Sequence, residues 1–91
     1  DMAIVVNENI AIGAILEALR ETSDPNIEAL DVFDVYRGRE LPNGMKSVAI
    51  LVLMRDTERT LTDADGDRIV AGLLTTLTAR FGATLRSQAP R

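Results

Sequence analysis

The sequence contains no cysteine, no histidine and no tryptophan, and its aromatics stop at two phenylalanines and one tyrosine. Without cysteine there are no disulfides and no thiolate chemistry. Without histidine the commonest general base and the commonest metal ligand are both missing. Any catalysis within the chain would have to run on carboxylates, Lys46 or Tyr36. Long apolar runs are also lacking, and none reaches the ~18 residues of a membrane span. No basic-then-apolar leader opens the chain, so nothing points to secretion and a cytoplasmic location is expected. An excess of positive charge is missing too. Fourteen acids face ten bases, a net charge of −4, which is the wrong sign for a free-standing, nonspecific nucleic-acid binder.

What is present is an ordinary globular composition, 46% hydrophobic over 91 residues, sufficient for one small core. The chain opens on Asp1 inside an apolar strand pattern, so it is expected to be a piece of a longer polypeptide. Charge is unevenly spread. Residues 1–31 hold seven acids against Arg20 alone, whereas residues 36–60 hold five bases (Arg37, Arg39, Lys46, Arg55, Arg59) against three acids. Such polarity reads first as solvated surface.

Met2-Ala3-Ile4-Val5-Val6 predicts a strand over about 2–6, and Asn9 is placed to cap the next element. Ile12, Ile15, Leu16 and Leu19 recur with helical spacing and predict a helix over about 11–22, stopped by Ser23-Asp24-Pro25-Asn26. A second strand is expected over about 28–37. Strict alternation in it puts Phe33 and Val35 on one face and Asp34 and Tyr36 on the other. A loop over 38–45 built on Pro42-Asn43-Gly44 leads into a third strand over about 46–55. Thr62-Asp63-Ala64-Asp65 has the form of a capping box, and Ile69, Val70, Leu73, Leu77 and Phe81 form the apolar stripe of a helix over 63–81 ended by Gly82. Asp63, Asp65 and Asp67 lack the glycine and ligand spacing of a calcium loop, so they read as helix-start acids. A short strand over 83–86 closes the domain, leaving 87–91 as a flexible tail.

The order β-α-β-β-α-β, with right-handed crossovers, predicts an α+β ferredoxin-like sandwich: a four-stranded antiparallel sheet in the order 4-1-3-2 with both helices on one face. The other face would then be bare and would carry Ala3, Val5, Asp34, Tyr36, Ser47, Ala49, Leu51, Leu53, Arg55, Thr84 and Arg86. An apolar surface of that kind marks a contact site. Single-stranded RNA is one occupant, with Tyr36 as a stacking platform and Asp34 as an acceptor for base N–H groups. The aromatics that RNA-recognition motifs carry on their first and third strands are missing here. Two other uses remain open: a structural domain that packs through this face, and a small-molecule regulatory module. The second fits poorly, because Asn7-Glu8-Asn9 occupies the turn where a glycine is wanted.

Phe33-Asp34-Val35-Tyr36-Arg37-Gly38, then Leu41-Pro42-x-Gly44-x-Lys46-Ser47-x-Ala49, Arg59-Thr60-Leu61-Thr62 and Gly82-Ala83-x-Leu85-Arg86 together resemble the C-terminal ferredoxin-like anticodon-binding domain of bacterial phenylalanine–tRNA ligase beta subunits. The likeness covers residues 1–86. It implies a non-catalytic module that docks the anticodon of phenylalanine tRNA. Its partners would be the rest of the beta subunit and the alpha subunit, with no membrane or DNA involved. Catalysis, with ATP and magnesium, would belong to other domains, leaving no cofactor or metal in this one. The resemblance assigns tRNA binding to Tyr36, Asp34, Ser47, Ala3 and Arg86. The predicted topology sets Ser47 at the Tyr36 end of the sheet and Ala3 and Arg86 toward the opposite end, where they would meet different nucleotides. Met45 departs from the pattern, standing where a basic residue is common, and Gly66 sits where a better helix former is usual.

Overall fold

The computed structural model describes residues 1–22 and 24–88. Six elements occur in the order β1 (Met2–Asn7), α1 (Ile12–Glu21), β2 (Ile27–Tyr36), β3 (Met45–Met54), α2 (Asp63–Phe81) and β4 (Thr84–Gln88). All strand pairings are antiparallel in the order β2-β3-β1-β4, which is the predicted sandwich. The core lies between one sheet face and the helices. Met2, Ile4 and Val6 of β1 and Val48, Ile50 and Val52 of β3 meet Ile15, Ala18 and Leu19 of α1 and Ile69, Val70, Leu73 and Leu77 of α2. Burial of these alternate strand residues leaves the intervening ones on the far face.

Several local features depart from the predictions. Asn9 does not cap α1. The N-cap is Ala11, with no side-chain cap bond, and the asparagine that acts locally is Asn7, whose side chain accepts from the Asn9 amide at 2.9 Å. The stop after α1 is an Asp24 turn, with the Asn26 amide donating to the Asp24 carboxylate at 2.8 Å; Ser23 lies outside the described residues. At the other end β4 runs on through Ser87 and Gln88 in pairing with β1, because Ala3 and Met2 still offer ladder partners there. The rest of the expected tail, 89–91, lies outside the described residues.

Phe33 is the largest departure. It is 58% exposed and takes no part in the core, because β2 shifts register between Val32 and Asp34. A bulge inserts one unpaired residue and resets the alternation beyond it. The core side of β2 is therefore carried by Leu30 and Val32. The open side carries Asp31, Asp34 and Tyr36, paired with Leu51, Ala49 and Ser47.

Candidate nucleic-acid interface

The register stacks the open face into two neighbouring rows. One row runs Tyr36, Ser47, Val5, Thr84 across β2, β3, β1 and β4, and the next runs Asp34, Ala49, Ala3, Ser87. Arg86 falls between the two β4 partners, in the register shift opposite Ala3 and Ile4. All five predicted site residues thus belong to one patch. This corrects the expectation that Ala3 and Arg86 lie at the opposite end of the sheet from Tyr36. Antiparallel pairing sets Val5 beside Ser47 and Ala3 beside Ala49, so Ala3 and its β4 neighbours lie one row from Tyr36 and not at the far end of the sheet.

The Arg86 guanidinium stands over the Tyr36 ring, 5.3 Å from its centroid, within the range of a cation–π contact. The two residues come from opposite edges of the sheet, about 14 Å apart at ~4.8 Å per strand. They meet because the intervening positions, Val5, Ala3, Ser47 and Ala49, are small, and two long side chains lean together over that low floor. Ser47 lies on this face yet is only 4% exposed, so its hydroxyl belongs to the floor and not to the accessible surface. Tyr36 is 40% exposed and Asp34 is exposed. None of the ion pairs among the described residues uses Asp34, which leaves its carboxylate open as an acceptor.

Gly38 fixes the pose of the tyrosine. A Cβ there would lie 2.2 Å from the Tyr36 hydroxyl oxygen and 2.5 Å from Cζ, so the phenol rests against a backbone that only glycine leaves open. The loop after it is pinned. The Leu41 amide donates to the Gly38 carbonyl at 3.2 Å, the Leu41 side chain is buried, and Gly44 closes the turn with φ 78°. Glu40, on that loop, escaped the sequence reading. Its carboxylate stands beside the Tyr36 hydroxyl, and their interaction raises the phenol pKa and holds the Glu40 carboxyl below its ordinary value; it also pairs with Arg86 at 3.8 Å. Its proximity to both is created by the turn, and no spacing in the sequence announces it.

Lys46 is not part of this surface. It is 4% exposed and donates from Nζ to the Ile10 carbonyl at 2.6 Å, tying β3 to the connection before α1. Asp65 is likewise engaged, accepting two bonds from Arg59 at 2.7 and 2.9 Å. Among the described residues, no cluster of acids could hold a metal ion, and no helix is long and apolar enough to cross a membrane.

A family profile described as "Ferredoxin-fold anticodon binding domain" matches residues 1–86. The chain belongs to this family. It is 47% identical over 87 residues to a phenylalanine–tRNA ligase beta subunit of Thiobacillus denitrificans, covering 96% of the chain. The corresponding protein of Nitrosospira multiformis is 42% identical over 96% of the chain, and that of Geobacillus kaustophilus 41% identical over 94%. The chain spans 11% of the length of each of these relatives. It is thus similar to one anticodon-binding domain within a much larger protein.

Proposed function

We propose that this chain is the anticodon-reading module of a cytoplasmic phenylalanine–tRNA ligase, part of its beta subunit, and that it presents its open sheet face to the anticodon of phenylalanine tRNA. Tyr36 stacks on an unpaired base, and Asp34, one row away, accepts from that base's edge N–H groups. Ala3 and Ala49 keep the floor low enough for a planar base to lie down, and Arg86 supplies positive charge for a phosphate. Aminoacylation, with its ATP and magnesium, takes place in other domains and in the alpha subunit. The observation that carries the reading is a half-exposed phenol ring beside an uncommitted carboxylate on a bare sheet. Base stacking needs an accessible π-face, and base discrimination needs an acceptor at the edge.

Aminoacylation by the full-length ligase carrying Tyr36→Ala tests this. The KM for tRNA is expected to rise roughly 5- to 150-fold, the equivalent of losing one stacked base, with kcat little changed. An unchanged KM would mean that this face packs against the parent protein and reads nothing.

A further inference from the structure

Glu40 stands outside the motifs that point to the site, yet it joins the site's two main side chains. Its carboxylate stands beside the Tyr36 hydroxyl, whose pKa it raises, and lies 3.8 Å from the Arg86 guanidinium, while the guanidinium covers the Tyr36 ring. Phenol, carboxylate and guanidinium thus close a triangle of contacts. The Gly38–Leu41 turn and the buried Leu41 side chain hold the Glu40 backbone beside the site. In this arrangement the cation occupies part of the π-surface that a stacking base requires.

We propose that Glu40 is a positioning residue that holds Arg86 on Tyr36 as a placeholder, so that a nucleotide enters by displacing the guanidinium, which then exchanges Glu40 for the nucleotide's phosphate. The proposal rests on the anticodon reading above. The exchange replaces a long ion pair of 3.8 Å by a contact that can close into a forked, charge-assisted one, since a phosphate offers a guanidinium two acceptor oxygens. An exposed ion pair contributes little on its own, so the placeholder yields to a ligand that both stacks and presents a phosphate. A ligand that offers phosphate without a well-stacked base gains the pair and fails to repay the lost cation–π contact. Glu40 therefore screens ligands by their base while weakening binding of RNA in general.

The sequence supplies the probe. With one tyrosine and no tryptophan, intrinsic fluorescence and phenolate absorbance report Tyr36 alone. Without RNA, Glu40→Gln is expected to lower the pH at which the phenol ionises. Glu58→Gln, which removes the same charge from the connector after β3, leaves it in place. With an RNA stem-loop carrying the phenylalanine anticodon, read by quenching of Tyr36, Glu40→Gln is expected to tighten binding about fivefold, near the value of one charge contact in water. That gain disappears when the substitution is made in an Arg86→Ala background. A gain of equal size from Glu58→Gln, a gain that survives Arg86→Ala, weaker binding by Glu40→Gln, or an unmoved phenol titration would each overturn the placeholder. Quenching of the wild-type chain with no response to Glu40→Gln overturns this proposal alone. Complete absence of quenching overturns the anticodon reading and the placeholder with it.

Discussion

Gly38 shows how one missing methyl group shapes a binding surface. With a Cβ 2.2 Å from the phenol oxygen, the Tyr36 ring could not keep its place, and the collision involves a planar ring already covered by the Arg86 guanidinium. Gly38→Ala is therefore expected to swing the ring off its seat and raise the KM for tRNA. The rise should be smaller than for Tyr36→Ala, because the aromatic remains, and kcat and thermal stability should be nearly unchanged. Steady-state aminoacylation with a melting curve checks this; wild-type KM would show that the ring position does not matter. At this scale the sequence was legible where alternation was undisturbed. Asp34 and Tyr36 face outward together as period two requires. Phe33 was misjudged because an unpaired residue in β2 breaks that period, and nothing in Asp31-Val32-Phe33-Asp34 marks the break. The meeting of Arg86 with Tyr36 was hidden for another reason, since it joins two long side chains from opposite edges of the sheet, a contact that no local pattern displays.

Among the elements, α2 was the most legible. Its bounds, Asp63–Phe81, its reciprocal Thr62–Asp65 capping box and its left-handed Gly82 cap, φ 66°, all derive from local chemistry that sequence displays directly. α1 was less so, because it starts on Ala11 without a side-chain cap and is held by its buried face instead. Two predictions belong to α2. Gly66 lies in the first turn, and a Cβ there would stand 3.7 Å from Met54 Sδ, an ordinary contact. Gly66→Ala is expected to stabilise the chain by roughly 0.5–1 kcal/mol, the helix cost of glycine; chemical denaturation measures it, and destabilisation would show that the turn is strained by other contacts. Asp65 sits between the Arg59 guanidinium and the Thr62 backbone and hydroxyl, which together hold its carboxyl well below its ordinary value of 3.8. A carboxylate depressed by folding stabilises the fold above its unfolded pKa and ceases to do so as pH falls through the folded one. The wild-type melting temperature should accordingly fall as pH drops below about 4. Asp65→Asn should lower it at pH 7 and flatten that acid slope. Parallel acid slopes for the two proteins would place the titrating group elsewhere.

For the whole molecule, the β-α-β-β-α-β order and handed crossovers were enough to give the sheet order, because few topologies satisfy both. Charge now has a physical role. The chain is acidic overall, at −4, yet Arg86 stands over Tyr36, and Arg37 and Arg39 follow that tyrosine in the sequence. A polyanion is thus drawn to this patch locally while the molecule as a whole gains little from phosphate attraction. Under the proposed function the module would read bases, and the remainder of the ligase would supply most of the affinity by holding the tRNA at high effective concentration. Titration of Tyr36 fluorescence with two stem-loops, one carrying the phenylalanine anticodon and one with its first anticodon base replaced, tests base reading most directly. Weak binding with deeper quenching and clearly higher affinity for the intact anticodon is the predicted result. Equal quenching and equal affinity for the two stem-loops would contradict it.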